Sequence, residues 1–495
     1  MRPLVSLRTP LLCHSCSRLV WRSVKGQRGY ATTTTTTTAS EREIYDVVCV
    51  GGGPAGLSLL TALRSNPTTS SLRIALVEAQ DLSKVASWSL PQDQFSNRCS
   101  SLTPSSARFL NTIGAWSHME RSRIQAYQEM QVWDGVSGSR ISFDGPSTSQ
   151  DGVIAYMIEN LNLQRGLLKR LSELRDGVNI FDTARVSSIS HGSVLSSGHD
   201  LTSWPVVTLS SGTSLTARLL VGADGANSPV RTFADIPSRG WDYGRHGVVA
   251  TLQLSDEGWG GADFKTAYQR FLPTGPIAML PLPGPFASLV WSTIPSNAAL
   301  LKSLSPVDFT SMVNAAFRLS TVDLKYMHTL SSGQTSEYSW RMEHNPHDPF
   351  PVPPPVTGVQ EGTVASFPLR LRHADTYISP RVVLIGDAAH TVHPLAGQGL
   401  NAGQGDVQSL ASTIEYAVSH GMDIGSMLAL EKYNAERYFE NHAVLGVCDK
   451  LHKLYSVGSG PVVGLRSLGL KAVSALRPVK DFLMKQASGN GFKLF

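Results

Sequence analysis

The sequence predicts an α/β fold in which a parallel, doubly wound domain is interrupted by a smaller antiparallel sheet and then resumed. Three observations predict it. "IYDVVCVGGGPAGLSLLTALRS" opens the folded part as strand, glycine turn and helix, and "LRIALVEA" follows as a second strand. From about 240 to 365 the character changes: stretches such as "GVVATLQL" and "RFLPTGPIAMLPL", cut by turns, read as an antiparallel sheet. "VLIGDAAHTVHPLAGQGLNAGQGD", residues 383–406, then returns to the strand, loop and helix style.

Each element has a local reason. Ile44 to Val50 is an apolar run of strand length, and Leu57 to Arg64 has helical spacing. Between them Gly51, Gly53 and Gly56 form G-x-G-x-x-G, and the second strand ends on Glu78, 22 residues past Gly56. That order is the fingerprint of a dinucleotide site. The first glycine makes the turn, the second lets a pyrophosphate approach, the third packs helix on strand, and Glu78 is placed to take a ribose hydroxyl. Residues 96–116 read as a loop entering a helix capped near Thr103-Pro104. Strand-like stretches follow at 130–135 and 139–143, then the amphipathic "NLQRGLLKRLSEL". "ARLLVGADGANSPVR", residues 217–231, is a strand released by Asp224-Gly225, with a helix start at Ser228-Pro229. The strand at 381–385 ends in Gly386-Asp387, and helical spacing runs from about Gly399 to Ala417. A helix start there, behind several glycines, favours an anionic ligand.

Residues 1–40 hold six basic residues and no acid, so the formal charge of +5 leaves about −1 for the remainder and gives no reason to expect a nucleic-acid partner. This basic, Ser/Thr-rich start has the composition of a mitochondrial transit peptide. Arg28-Gly29-Tyr30-Ala31 resembles a matrix-protease site, and Thr32 to Thr38 is a polar spacer. Cys13 and Cys16 form a CxxC inside that leader, where a metal role is not expected; Cys49, Cys99 and Cys448 are scattered and suggest no disulfide framework. The expected organisation is leader and spacer at 1–40, the first part of the dinucleotide domain at 41–239, the sheet domain for substrate at 240–365, the second part at 366–450 and a basic amphipathic tail at 451–495. "NPHDPFPVPPPVTG" is expected to be a surface loop.

GGGPAG at 51–56, GADGANSPVR at 222–231 and GDAAHTVHPLAGQGLNAGQGD at 386–406, in that order, resemble the FAD-dependent aromatic hydroxylases of the p-hydroxybenzoate hydroxylase fold. More narrowly, with "SNRCSSLTPSSARFLNTIGAW" and "MQVWDG", the chain is similar to the mitochondrial flavin monooxygenases that hydroxylate C5 of the ring in ubiquinone biosynthesis. The resemblance implies FAD held by Gly51, Gly53, Gly56 and Glu78, with Arg98 reaching it from its loop. It implies that Asp224 is partly structural, that Asp387 binds the ribityl and pyrophosphate region, and that Pro394 shapes the loop beside the flavin. Gly397, Gly399, Leu400 and Asn401 are expected to turn backbone N–H groups toward the flavin pyrimidine edge. His390 and His393 are expected to be loop histidines satisfied by backbone rather than acids or bases.

The implied reaction uses O2 to hydroxylate a 4-hydroxy-3-polyprenylbenzoate-type substrate, with no catalytic residue identified. Electrons are expected from a ferredoxin fed by its reductase, docking at Arg370 and Arg372 near His373 or at the basic tail. A polyprenylphenol substrate, membership of a multi-enzyme complex and a peripheral position on the matrix side of the inner membrane belong to the same expectation. The alternatives are an FAD-dependent dehydrogenase or prenyl reductase, and a flavin-stabilised structural subunit. In the tail, Leu465, Leu468, Ala472, Leu476, Val479 and Leu483 share a helical face, with Arg466, Lys471, Arg477, Lys480 and Lys485 away from it and Pro478 dividing the segment. Packing on the protein's own core and contact with a membrane both suit that stripe.

Overall fold

Val47, Val48, Cys49, Leu219, Leu220, Val221 and Val383 are wholly buried. Such near-continuous apolar runs form parallel strands covered on both faces. The computed structural model describes residues 43–144, 152–174, 178–194, 198–255, 259, 265–344, 352–391 and 397–475. The parallel part of its first sheet runs in the order Val382–Leu384, Ser214–Gly222, Glu43–Val50, Ile74–Val77 and Val178–Phe181. Helices Pro54–Ser65, Asn160–Glu173 and Gln398–Ser419 pack around it. The predicted caps are present. Thr103 accepts from Ser106 N at 3.3 Å to start Pro104–Thr112, and Ser228 accepts from Arg231 N at 2.9 Å to start Pro229–Phe233.

The second sheet has nine strands and reaches beyond residues 240–365. Its order is His390–Thr391, Ala365–Ala374, Ser238–Leu254, Phe286–Thr293, Gly275–Pro281, Thr266–Leu272, Glu129–Asp134 and Arg140–Asp144, with Val356–Val359 beside Ser238–Leu254. The stretches at 130–135 and 139–143 therefore belong to this sheet, and the chain returns to it at His390 inside the third motif. The region is also less purely β than expected. Helices Pro295–Ser303, Pro306–Arg318, Thr321–Met327 and Gln334–His344 follow one another, and the first three bury residues against one face through Trp291, Phe309, Met312 and Phe317. Their start signals are ordinary: Pro295 and Pro306 in first turns, and Ser305 and Ser320 accepting from Asp308 N and Asp323 N. From Arg42 to Phe495 the chain is one compact unit, so the two sheets do not separate into independent lobes.

The tail differs from its expected form. A helix runs unbroken from Met427 to Tyr455, across the boundary set at 451, and Pro461–Ala475 follows. Arg466 is buried, whereas Leu465 and Leu468 are 68% and 67% exposed. The apolar stripe at those two positions thus faces outward and the arginine inward, the reverse of packing the stripe on the core. Arg466 is drawn in by Asp134, which its Nε and Nη2 both meet at 2.9 Å. Leu476, Arg477, Pro478, Val479, Lys480, Leu483, Lys485 and residues 345–351 of the Pro-rich loop lie outside the described residues.

Candidate functional site

The glycine turn leaves the buried strand Glu43–Val50 with little room to spare. A Cβ at Gly51 would lie 2.2 Å from the Ala223 carbonyl oxygen, and one at Gly56 would lie 1.9 Å from that of Gly51. Gly51 also has φ +110°, outside the range of side-chain-bearing residues. Around Gly53 nothing lies within 4 Å of that position. The first and third glycines are thus required by packing, and the second leaves open surface over the start of helix Pro54–Ser65. Glu78 accepts from Gly52 N at 2.5 Å and Gln80 N at 2.7 Å, so it fastens the turn from which it was expected to bind.

The three motifs meet. Ala223 N donates to Val50 O at 2.8 Å, joining the first to the second. Arg231 Nη1 donates to Ala388 O at 2.8 Å, joining the second to the third. Gln404 Nε2 donates to Ser58 Oγ at 3.1 Å, joining the third to the first. Two carboxylates face this junction. Asp224 accepts from Val230 N at 3.2 Å through Oδ2, while its buried Oδ1 has no partner within the protein. Burial raises its carboxyl above the ordinary range, against the opposing pull of Ser228. Asp387 is open to solvent but enclosed by surrounding protein, and that enclosure also raises its carboxyl, opposed by His390. A carboxylate that is solvent-open yet desolvated lines a cleft.

Helix Gln398–Ser419 begins beside that cleft at Gly397, which is left-handed at φ +59° and supplies no capping side chain. Its 22 residues align their peptide dipoles toward this end. Asn401 has another use. Its Oδ1 accepts from Thr103 N at 2.9 Å and Ser106 Oγ at 2.8 Å, and its Nδ2 donates to Ser101 O at 2.8 Å. It therefore docks the Thr103 cap onto this helix, and the first-turn N–H groups come from the residues before it. Leu400 packs on the main core, Gly399 is open, and Pro394 and His393 lie outside the described residues.

No local motif marks the hub behind the cleft. Asp406, wholly buried, accepts from Gly386 N at 3.0 Å, His390 Nε2 at 2.6 Å, Arg437 Nε at 2.9 Å and Asn441 Nδ2 at 2.9 Å. Burial alone would raise this carboxyl, but His390 and Arg437 hold it well below the ordinary range. His390 is thus not a loop histidine satisfied by backbone, because its partner is a carboxylate. A second buried pair holds the loop bearing Arg98. Arg123 meets Glu159 at 2.7 and 3.0 Å and donates to Pro91 O and Gln94 O, while Glu159 accepts from Ser96 N at 2.6 Å. Arg98 itself is exposed, its carbonyl taken by Asn160 N at 2.9 Å. Arg370 and Arg372 share Asp242 at 3.2 and 3.4 Å, and His373 is buried against Tyr377, so His373 adds nothing to a surface patch.

Three outcomes follow from this geometry. Gly56→Ala forces a methyl onto a backbone oxygen and is expected to destabilise the protein by about 3 kcal/mol. Gly53→Ala should leave thermal unfolding of the ligand-free protein nearly unchanged while weakening dinucleotide binding at least about tenfold, measured by fluorescence titration. Asp406→Ala removes the fully buried counter-charge of Arg437, leaving Glu440 as its remaining acidic partner, and should cost about 3 kcal/mol near neutral pH. Because the folded carboxyl is depressed, its contribution is complete above the unfolded value of about 3.9 and fades as acid protonates it. Denaturant unfolding of the two proteins should therefore converge as pH falls below about 4.

Comparison with known proteins adds the identity of the ligand. A profile of the FAD binding domain family matches residues 44–445. The ubiquinone biosynthesis monooxygenase COQ6, mitochondrial, of Saccharomyces cerevisiae is 43% identical, over 94% of this chain and 97% of its own length. The human protein of the same name is 38% identical, over 91% and 94%. The crystal structure of p-nitrophenol 4-monooxygenase PnpA from Pseudomonas putida DLL-E4 superposes with TM-score 0.64 at 18% identity, covering 91% of this chain and all of that one, which shows a shared fold. With the three motifs converging on one cleft, the chain belongs to the FAD-dependent monooxygenases of the COQ6 type.

Proposed function

We propose that this enzyme hydroxylates C5 of the aromatic ring of a 4-hydroxy-3-polyprenylbenzoate-type intermediate in ubiquinone biosynthesis, and accepts the related polyprenylphenol. The observation that carries the reading is the join between cleft and second sheet. Asp387 stands three residues before His390, and His390–Thr391 is an edge strand of the nine-stranded sheet. A flavin held by Asp387 therefore sits at the seam between the two sheets. The names of the relatives, read with this geometry, support the substrate class.

The residues present fit FAD. The open surface at Gly53 admits a pyrophosphate, the partnerless Oδ1 of Asp224 and the enclosed carboxylate of Asp387 supply acceptors for hydroxyl groups, and the uncapped helix start at Gly397 favours negative charge on the flavin ring. Held by these residues, reduced FAD would supply the O2 activation through which an electron-rich ring gains one oxygen atom. The chain orients ring and cofactor and keeps water out. Phe95, Tyr127, Met157, Ala267 and Leu282 form a buried cluster joining the short sheet of Cys99–Leu102, Gln125–Tyr127 and Ala155–Glu159 to the nine-stranded one.

The electrons come from a ferredoxin, and the enzyme works within a multi-enzyme complex as a peripheral protein on the matrix face of the inner membrane. The relatives carry "mitochondrial" in their names, and among the described residues no helix is long and apolar enough to cross a membrane. Exposed Arg370 and half-buried Arg372 outnumber the Asp242 they share, leaving a weak positive site for an acidic donor.

Turnover under oxygen-18 gas should place one labelled atom in the product ring; unlabelled product, as a dehydrogenase gives, would overturn the hydroxylation. In stopped-flow experiments, reduced ferredoxin should bleach the flavin quickly and salt should slow it. Equally rapid bleaching by NADPH alone, followed by product formation, would replace ferredoxin as the donor.

A further inference from the structure

The two C-terminal helices carry a surface that flavin binding does not use. The second half of Met427–Tyr455 exposes Val447, Leu451 and Leu454, and Pro461–Ala475 exposes Leu465 and Leu468. The helices meet at Arg466, whose Nη1 donates to Leu454 O at 2.9 Å and Val457 O at 2.6 Å. The rotation of the second helix is fixed. Arg466 and Asp134 form a two-bonded ion pair with each side chain 1% exposed, and Leu470 and Val473 pack against Val132, Ile141, Phe271 and Tyr455. Turning Leu465 and Leu468 inward would pull Arg466 from Asp134 and leave a buried charge without its partner.

The surroundings of these leucines are cationic and aromatic. Lys450 and Lys453 are exposed on the first helix; Lys453 pairs with the largely buried Asp449 at 2.8 Å, and its ammonium lies 4.8 Å from the ring centre of half-exposed Trp241. Outward leucines among lysines, with an indole at their side, have the chemistry of shallow insertion into an anionic lipid surface.

We infer that the face made by Leu451, Leu454, Leu465 and Leu468 seats on an anionic bilayer, with the leucines at the acyl boundary and the lysines at the phosphates. This deepens the proposed function, on whose peripheral position and prenylated substrate it rests. The second helix packs along Arg140–Asp144, an edge strand of the nine-stranded sheet, and Ser467 Oγ bonds Ser139 Oγ beside it. The lipid-seated helix is therefore attached to the sheet assigned to the substrate.

The test is flotation of the purified Arg42–Phe495 unit, loaded with FAD, on phosphatidylcholine vesicles with and without cardiolipin. The wild type should float with the cardiolipin vesicles. Leu465→Glu combined with Leu468→Glu should lower the bound fraction at least about tenfold, with FAD content and thermal midpoint unchanged because both positions are exposed. Flotation of the double variant equal to wild type would overturn this face while leaving the peripheral reading intact. A wild type that does not float on either vesicle, but runs as a dimer that the double variant converts to monomer, would assign the face to a second copy and overturn the lipid assignment. Absence of oxygen-18 in product from a short-tailed, water-soluble substrate would instead count against the proposed chemistry.

Discussion

The site depends on one buried carboxylate. Asp406 takes four hydrogen bonds from four different places: the Gly386 backbone, His390, Arg437 and Asn441. Two of these are on the turn and edge strand that present Asp387, and two are on the long helix Met427–Tyr455. Asp406 itself belongs to the helix whose start faces the cleft. A neutral residue there would leave Arg437 with Glu440 as its acidic partner and take the acceptor from Gly386 N and Asn441, and a buried guanidinium that loses its buried counter-charge is costly. The turn, the helix start and the helix behind them are therefore held as one body, which is what a cofactor with contacts along its whole length requires.

From that body the arrangement extends in both directions. Arg231 ties the second motif to Ala388, and Gln404 ties the glycine-loop helix at Ser58, so the cleft walls come from segments more than 300 residues apart in the chain. His390–Thr391 continues directly into the nine-stranded sheet, so the turn that carries Asp387 is tied to that sheet. Asn401 and the Arg123–Glu159 pair do the equivalent for the third wall, docking the Thr103 cap and the loop of Arg98. The polar groups around the cleft thus divide into those spent on holding one another and those left open, chiefly Asp387, Asp224 Oδ1 and the start of the Gln398–Ser419 helix.

Local signals were legible and distant pairings were not. The fingerprint glycines, the Thr103-Pro104 and Ser228-Pro229 caps and the helix after Gly397 all follow from residues within a few positions of each other. The four helices between 295 and 344 have similar local signals, Ser305 before Pro306 and Ser320 before Asp323, but the aromatic stretches around them carry strand signals. Membership of 129–144 in the second sheet depends on Thr266–Leu272, which is far away in sequence. Two partners of Asp406, Arg437 and Asn441, lie 31 and 35 residues on, along another helix, and Arg466 faces inward because of Asp134, 332 residues earlier. Hydrophobic periodicity predicts which face of a helix is buried only when no ion pair across the fold overrides it.

The most direct measurement is an experimental structure of the FAD-loaded protein. The pyrophosphate should lie over Gly53, the ribityl chain beside Asp387 and the flavin ring at the seam near Gly397, with Asp406 still bonded to Gly386, His390 and Arg437. FAD bound elsewhere, or an Asp406 released from those partners with the cofactor in place, would contradict the claim that this carboxylate assembles the site.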